Sequence, residues 1–353
     1  MSNHTRSIFL PFVYKFDSEN TPQVKATISG VDIELPMDTG STGILIGAPL
    51  LPMVGPEDGT PSYEFLSSSR ILYNGRLVEL PITFHGPKGT NATATVPVLV
   101  VDESVVCPWY DAKVDGPCCP FNPNGPAPIP RDTSRITYMG VGFGRNQHGD
   151  GQPHAIPRTN PFLNVESING ELLLPGVLRT GYTISTEGVY LGLTPENTRG
   201  FVFTNLEPGL THEEDARDWA MVKMCFSVNG EVYNRGSALI DTGVAQMYLR
   251  ADEGMIPNIT IRNPNLNGSA KWVHRAKPGT KLTIGIPSLD VAVAEYSFTV
   301  GEASEMAPTH VIPSKQKHPA YVNTGRHFFF GFSVAFDAVA GRLGFRPVVS
   351  PSL

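Results

Sequence analysis

Residues 35–41 read LPMDTGS, and residues 238–244 read ALIDTGV. In both stretches an apolar run typical of a buried strand leads directly into Asp-Thr-Gly. Two copies of that tripeptide are expected by chance in under about one chain in a hundred of this composition. Each half also closes with an apolar-Gly element, at residues 138–142 and 328–332. The chain therefore contains an internal repeat, and the repeat carries the carboxyl groups of Asp38 and Asp241.

Each Asp-Thr-Gly predicts a carboxyl group that points out of the turn at the end of a strand, because the glycine lets the backbone double back. If the two turns are related by pseudo-symmetry, Asp38 and Asp241 lie side by side and cannot both ionise cheaply. Such a pair shares one proton, so one carboxylate takes a proton from water while its partner polarises a carbonyl group. The residues predict general acid–base hydrolysis of an amide, with no covalent intermediate, metal or other cofactor.

The composition predicts an all-β protein. The 353 residues include 35 Gly and 32 Pro, and turns at that density favour many short strands over long helices. Strands are predicted at residues 23–28 and 31–37, joined by a turn at Ser29-Gly30. The strand pattern breaks at residues 194–197, which predicts an N-terminal lobe of residues 1–196 and a C-terminal lobe of residues 197–353.

Charge and hydropathy exclude several classes of partner. The net charge is −6, from 27 basic and 33 acidic residues, so neither nucleic acid nor a polyanionic membrane surface is expected as a partner. No apolar run in the sequence approaches the roughly 18 residues of a membrane span. The nine histidines lack the His-Glu-x-x-His spacing of a catalytic zinc site, so no metal is expected.

A Pro-rich stretch at residues 102–135 predicts a long surface insertion without regular secondary structure. Cys107 and the Cys118-Cys119 pair lie inside it, where a loop-closing disulfide and reduced thiols are both consistent with the sequence. Cys225 lies in an apolar strand pattern and is expected to be packed or free. After the insertion, Thr159 or Asn160 is a candidate cap for a short helix that starts with a proline.

On these motifs the sequence resembles the pepsin-like aspartic proteinases, from about residue 23 to residue 347. Residues 38–41 (DTGS) are similar to the family's first catalytic motif, residues 241–243 (DTG) to the second, and residues 329–345 to the closing segment. The resemblance implies a bilobal pepsin-like acid protease fold, with two pseudo-symmetric lobes of the six-stranded-barrel type and a catalytic cleft between them. It implies catalysis by Asp38 and Asp241, with support from Thr39, Gly40, Ser41, Thr242 and Gly243.

The resemblance also implies a hairpin flap above the cleft. Asn74-Gly75 between two apolar runs predicts a tight type I′ hairpin turn. Tyr73-Asn74-Gly75 then resembles the family's flap tip, with Tyr73 covering the cleft and binding the substrate backbone. The alternative is an ordinary hairpin with one cross-strand tyrosine.

Three features depart from the family pattern. Val244 stands where Ser or Thr usually follows the second motif, so Asp241 is expected to lose a hydroxyl hydrogen bond and to protonate more readily. Leu45 stands where the family usually has a Trp that orients the flap tyrosine. The predicted flap tip also lacks a Gly directly after the Tyr. These departures bear on substrate range and rate, and they leave both carboxyl groups in place.

The sequence favours a monomeric, acid-acting endopeptidase that cleaves polypeptides with apolar residues around the scissile bond. Two alternatives stay open: a pepsin-fold binding or inhibitor module without proteolysis, and an acid–base catalyst that acts on a small apolar molecule. Neither a signal peptide nor a basic prosegment is expected in the first residues as given. A secreted or acidic location is expected if a leader has been trimmed, and an intracellular location otherwise.

Overall fold

The computed structural model describes residues 6–122, 125–145, 152–252, 254–264, 271–314 and 319–348. Strands make up 46% of the described residues and short 3-10 helices 6%, which confirms the predicted all-β class. Among the described residues, no helix combines the length and hydropathy of a membrane span. The 3-10 helices of the described residues are Ala48–Leu50, Pro87–Gly89, Thr133–Arg135, Pro157–Thr159, Pro161–Leu163 and Arg326–Phe330. The strands, in chain order, are β1 (Ile8–Pro11), β2 (Gln23–Ile28), β3 (Val31–Asp38), β4 (Thr42–Gly47), β5 (Thr60–Leu66), β6 (Ile71–His85), β7 (Asn91–Val106), β8 (Ile129–Pro130), β9 (Thr137–Val141), β10 (Val165–Ile168), β11 (Glu171–Leu172), β12 (Gly181–Ile184), β13 (Gly188–Leu191), β14 (Val202–Asn205), β15 (Val222–Val228), β16 (Glu231–Leu239), β17 (Met247–Arg250), β18 (Asn258–Arg262), β19 (Trp272–Ala276), β20 (Lys281–Ile286), β21 (Ala294–Thr299), β22 (Val311–Pro313), β23 (Ala320–Asn323), β24 (Phe332–Asp337) and β25 (Arg342–Pro347).

The sheet of the first half closes on itself. Its strands run in the order β11-β10-β7-β4-β9-β3-β2-β6-β5, and β8 also pairs with β7. A further antiparallel pairing of β6 with β7 closes β7, β4, β9, β3, β2 and β6 into a ring. Apolar side chains alternate into the ring, as in β2, where Val24, Ala26 and Ile28 are buried. The ring carries Asp38 at the end of β3.

The sheet of the second half repeats the hairpin that leads to the aspartate. Its strands run in the order β21-β20-β15-β16-β23-β17-β22. The β2–β3 turn at Ser29-Gly30 has φ values of 49° and 79°, and the β15–β16 turn at Asn229-Gly230 has φ values of 53° and 88°. Positive φ at both positions is what a type I′ turn requires. The predicted turn at Ser29-Gly30 is confirmed, and its counterpart at Asn229-Gly230 was not foreseen.

A parallel strand flanks each aspartate-bearing strand. In the first half β9 runs parallel to β3 and places Gly140 opposite Asp38. In the second half β23 runs parallel to β16 and places Asn323 opposite Leu239. The structural counterpart of the element at residues 138–142 is therefore β23 and its continuation. The sequence pattern pairs residues 138–142 with residues 328–332 instead. That pairing is wrong, because residues 328–332 lie mostly in the following 3-10 helix, Arg326–Phe330.

A third sheet draws on distant parts of the chain, in the order β1-β13-β12-β24-β25-β14, and β18 pairs with β19 separately. Aromatic rings connect it to the first sheet through Phe162, whose ring centroid lies 5.4 Å from that of Phe84 in β6. Tyr182 of β12 stacks on Phe336 of β24 at 4.8 Å between ring centroids, and Phe162 meets Tyr182 at 5.2 Å. Phe162 belongs to the predicted short helix, which is the 3-10 helix Pro161–Leu163, and Asn160 Oδ1 caps it by accepting from the Phe162 N–H.

The Pro-rich stretch has more regular structure than the sequence predicts. β7 continues to Val106, because β6 supplies a hydrogen-bonding partner along its whole length, and β8 and the helix Thr133–Arg135 lie further on. A disulfide between Cys107 and Cys119 closes the loop. Cys118 is free and exposed, and Cys225 is free and buried in β15. The bridge that the sequence left open is therefore present.

The predicted hairpin turn at Asn74-Gly75 is wrong. Strand β6 runs through both residues without a break, and the turn between β5 and β6 comes earlier, at residues 67–70. The pairing of β6 with β7 shifts register between Asn74 and Gly75. A Cβ atom on Gly75 would lie 2.0 Å from the Val100 carbonyl oxygen. Glycine at this position permits close approach of two strands, so the dipeptide has a packing role and not a turning role.

Candidate active site

The two Asp-Thr-Gly loops fold back on themselves in the same way. The Gly40 N–H donates to Asp38 Oδ1 at 2.5 Å, and the Gly243 N–H donates to Asp241 Oδ1 at 2.6 Å. Both aspartates are buried, with exposed fractions of 6% and 3%. The same local hydrogen bond therefore fixes each carboxyl group above its own loop.

The loops are joined by a reciprocal set of hydrogen bonds. The Thr39 N–H donates to Thr242 Oγ1 at 3.0 Å, and the Thr242 N–H donates to Thr39 Oγ1 at 3.0 Å. Each hydroxyl then donates across the pair, Thr39 to the Ile240 carbonyl at 2.5 Å and Thr242 to the Met37 carbonyl at 2.8 Å. Every polar atom of the two buried threonine side chains is used, so the loops are held in one relative position.

Glycine is required where each loop meets the opposite carboxyl group. A Cβ atom on Gly40 would lie 2.3 Å from Asp241 Oδ2, and one on Gly243 would lie 2.3 Å from Asp38 Oδ1. Any larger residue would collide with the carboxyl group. The structure thus brings together the predicted residues Asp38, Thr39, Gly40, Ser41, Asp241, Thr242 and Gly243.

The two carboxyl groups receive different hydrogen-bond donors. Asp38 Oδ2 accepts from the Ser41 hydroxyl at 2.9 Å and from the Tyr138 hydroxyl, which is itself 2.9 Å from Ser41 Oγ. Asp241 Oδ2 accepts from the Asn323 side-chain amide at 2.5 Å. The Asn323 oxygen accepts from the Gly325 N–H at 3.0 Å, which fixes the orientation of the amide. The site is therefore symmetric in its backbone and asymmetric in its side chains.

The surroundings of Asp241 favour its protonated form. Burial raises the pKa of Asp241 well above its ordinary value, and the negative charge of Asp38 and a hydrogen bond between the two carboxyl groups raise it further. The donors Asn323 and Gly243 oppose this shift without reversing it. Asp38 accepts hydrogen bonds from two hydroxyl groups and from one backbone N–H. A buried carboxylate beside a protonated carboxyl group is an acid–base pair.

Asn323 supplies the hydrogen-bond donor to Asp241 that Val244 lacks. Val244 offers no hydroxyl group to Asp241, as expected, and it lines the cavity beside the carboxyl group. The amide of Asn323 donates to Asp241 from the flanking strand β23. The missing hydroxyl donor is thus compensated by a residue 82 positions further along the chain.

A buried cation lies beneath the two loops. Arg326 is 2% exposed, and its guanidinium donates to the carbonyl oxygens of Thr242 and Ser18 at 3.0 Å each and to Thr21 Oγ1 at 2.9 Å. Burial lowers the pKa of Arg326, and the charges of Asp241, Asp17 and Asp38 oppose that shift. The guanidinium therefore adds positive potential below the acidic pair.

A cavity of about 280 Å³ opens above the two aspartates. The turn between β5 and β6 contributes Ser67 and Ser68 to its lining, and Leu66 at the end of β5 lines it as well. The remaining wall is mixed, with apolar, phenolic, amide and basic side chains. It consists of Tyr138, Arg145, Gln152, Leu239, Val244, Tyr248, Leu249, Arg250, Ser314, Tyr321 and Asn323, together with the loop residues Gly40 and Ser41.

The predicted flap residues lie elsewhere. Tyr73, Asn74 and Gly75 are in the body of β6 and do not line this cavity. Tyr73 is buried in an apolar cluster with Leu45, and its hydroxyl accepts from Arg131 at 3.4 Å. Leu45 thus packs against Tyr73 under the hairpin.

Tyr138, Asn323, Arg326 and the cavity arginines were not identified as site residues from the sequence. Tyr138 is visible there as a phenol inside an apolar-Gly element, and Arg326 as a charge two residues before a run of three phenylalanines. A polar residue inside an otherwise apolar repeat is the signal that would have found them, because such a side chain needs a buried partner.

Comparison with known proteins supplies no relative for this chain. No model of a known protein family matches the sequence, and no curated protein matches it significantly.

Proposed function

We propose that this protein is an aspartic endopeptidase. One observation carries the proposal: Asp38 and Asp241 face each other at the floor of an open cavity, each close enough to the opposite loop to require glycine there. The raised pKa of Asp241 supports one shared proton over a wide acidic range. An acid and a base within reach of one water molecule are what hydrolysis of an unactivated amide needs.

In the proposed reaction a water molecule lies between the two carboxyl groups. The Asp38 carboxylate takes a proton from the water as its oxygen attacks the carbonyl carbon, and Asp241 donates its proton to the carbonyl oxygen. The resulting diol returns a proton to Asp241 as the C–N bond breaks, and Asp38 gives its proton to the leaving nitrogen. Both groups end in the protonation states in which they began. The buried hydroxyl donors on Asp38 hold the base in position between turnovers.

The architecture supports a pepsin-like, bilobal organisation with lobes at residues 1–196 and 197–353. The matching hairpins β2–β3 and β15–β16, each flanked by a parallel strand, are the features that a duplicated fold would retain. The cavity lies where the two repeated loops meet, which is the position of a cleft between lobes. Apolar side chains at Leu66, Leu239 and Leu249 favour a polypeptide substrate with apolar residues around the scissile bond.

The test is hydrolysis of acid-denatured globin by the purified chain between pH 3 and pH 7. We expect cleavage to internal fragments, and a loss of at least about a hundredfold in Asp38→Asn and in Asp241→Asn. Asp252→Asn, outside the cavity lining, is the matched control. Cleavage that persists in Asp241→Asn rejects the proposal. If a statine-type transition-state analogue binds and no substrate is cleaved, the fold serves as a binding module.

A further inference from the structure

Two arginines line the same cavity as the acidic pair, and the proposed reaction uses neither. Arg145 follows β9 in the first half of the chain, and Arg250 is the last residue of β17 in the second half. Each copy of the internal repeat thus contributes one arginine to the cavity. A pepsin-type reaction at Asp38 and Asp241 has no step that needs a cation, so the arginines call for a separate explanation.

Tyr321 of the cavity wall interacts with both arginines. The Arg250 guanidinium carbon is 5.4 Å from the centre of the Tyr321 ring. Burial raises the pKa of Tyr321 to about 12, against opposing effects of Arg145 and Arg250 and with a contribution from Asp241 in the same direction. The phenol therefore lies within electrostatic reach of both guanidinium groups and of the acidic pair. Both cations therefore line the cavity that also contains Asp241 and Tyr321.

Neither guanidinium is neutralised by a carboxylate among the described residues. Neither takes part in an ion pair there, and the Nε atoms of both are buried without a hydrogen-bond acceptor. Within the described part of the chain, Arg250 donates one long bond of 3.5 Å, to the Pro319 carbonyl. A guanidinium group presents five donors in a planar fork, and unpaired buried donors are costly. Both side chains thus have donor capacity left for an anion.

The carboxyl group of Glu64 interacts electrostatically with Arg145, but it does not supply that anion. Glu64 lies in β5, buried beneath the hairpin, and burial raises its pKa to about 8 despite the opposing charge of Arg145. Glu64 is therefore uncharged at acidic and neutral pH. With one negative charge on the acidic pair, the two arginines leave this part of the cavity with a positive charge.

We infer that Arg145 and Arg250 form a subsite for an acidic side chain, Asp or Glu, of the polypeptide substrate next to the scissile bond. The inference rests on the proposed function and names the substrate class for it. A carboxylate accepts paired hydrogen bonds from a guanidinium fork, so it fits this donor set. The apolar wall at Leu66, Val244 and Leu249 would hold the other side chains that flank the scissile bond. The enzyme would cleave apolar segments that contain one acidic residue at a fixed position.

The test uses pairs of internally quenched peptides that differ only by Glu or Gln, placed in turn at each of three positions on either side of the scissile bond. The measured quantity is the ratio of kcat/KM for the Glu peptide to that for the Gln peptide. We expect a ratio of at least about ten at one position for the wild-type chain. We expect that ratio to fall roughly tenfold in Arg145→Gln and in Arg250→Gln. Arg199→Gln, at an exposed site outside the cavity, is the matched control and should keep the wild-type ratio.

A binding measurement separates this inference from the proposed function. The same peptides are titrated by calorimetry into Asp241→Asn. Tighter binding of the Glu peptide that is lost in Asp241→Asn/Arg145→Gln supports the subsite even if no peptide is cleaved. A Glu-to-Gln ratio near one at every position, in cleavage and in binding, overturns the subsite and leaves the peptidase proposal standing. If no peptide binds, both are rejected.

Discussion

Thr39 and Thr242 exchange hydrogen bonds, with the backbone N–H of each donating to the Oγ1 atom of the other at 3.0 Å. The two residues are 203 positions apart in sequence. Because each hydroxyl also donates to a carbonyl of the facing strand, the pair forms a closed and buried set of four bonds. The geometry of the acidic pair depends on this contact.

Replacing Thr242 by Val should therefore destabilise the fold as well as the site. The variant leaves the Thr39 N–H and the Met37 carbonyl buried without partners, at a cost of about 3 kcal/mol in the free energy of unfolding. Urea unfolding followed by tryptophan fluorescence measures it. Thr299→Val, at a half-buried position in β21, is the control and should stay within about 1 kcal/mol. Equal stability of the two variants would contradict the role of the contact.

The hydroxyl of Tyr138 should tune the acidic limb of the activity profile. Burial and the nearby Asp38 raise the pKa of Tyr138 well above its ordinary value, so the phenol keeps its proton and donates to Asp38 throughout. Removing a donor to an ionised carboxyl group raises its pKa. We expect Tyr138→Phe to move the acidic limb of kcat/KM to higher pH and to lower kcat about tenfold. Tyr190→Phe, at an exposed position, should reproduce the wild-type profile. An unshifted limb in Tyr138→Phe would show that the phenol only fills space.

Gly40→Ala should abolish activity for a steric reason. The added methyl group would lie 2.3 Å from Asp241 Oδ2, so the carboxyl group or the loop must move. A displacement of this size at the reacting groups costs at least about a hundredfold in kcat/KM. Gly55→Ala is the control, since its Cβ would lie 3.2 Å from the side chain of Asp58, which is exposed and can rotate away. Activity in Gly40→Ala near that of Gly55→Ala would contradict the close approach.

Glu64 should make the protein less stable as the pH rises. Burial raises the pKa of Glu64 from 4.5 to about 8. Between these values the unfolded chain releases a proton that the folded chain keeps, so the free energy of unfolding falls with increasing pH. Glu64→Gln should lack this fall and be more stable than the wild-type chain at pH 8, by on the order of 3 kcal/mol.

Urea unfolding at pH 4.5 and at pH 8 measures the effect of Glu64. The exposed Glu187→Gln should follow the wild-type chain at both pH values. A variant at position 64 that loses stability in parallel with the wild-type chain would show that Glu64 is ionised in the folded protein.

The fold class and the central residues of the site were accessible from the sequence because they depend on local signals. An apolar strand that runs into Asp-Thr-Gly has few conformations open to it, and two copies make pairing of the carboxyl groups the natural expectation. The hairpin at Ser29-Gly30 was predicted on similar grounds. Such features are set by residues within one turn of each other.

The two Asn-Gly dipeptides show where local signals fail. Asn229-Gly230 forms a tight turn that was not predicted, and Asn74-Gly75, predicted as a turn, lies within a 15-residue strand. The difference is tertiary, since β7 pairs along the whole of β6 and its Val100 carbonyl approaches Gly75 too closely for any side chain. Strand pairing of this extent overrides the local turn propensity of Asn-Gly. The flap assignment depended on that turn, whereas the turn that does line the cavity contains Ser67 and Ser68.

The donors to the carboxyl groups could not be predicted for a related reason. Tyr138 and Asn323 come from strands that run parallel to the aspartate-bearing strands, and parallel partners are joined by long connections. Their register is set by packing of the whole sheet. The sequence showed a polar residue in each element without showing which atom it would contact.

The reciprocal threonine bonds also bear on the order of events during refolding. Hairpins such as β2–β3 and β15–β16 connect neighbours and can form early, whereas the meeting of two loops so distant along the polymer has a high contact order and comes late. Catalytic competence should then be the last property regained after dilution from denaturant, trailing the recovery of the far-ultraviolet circular dichroism signal. A fragment that stops short of residue 241 should remain inert however well its strands assemble, because half of each bond set is missing.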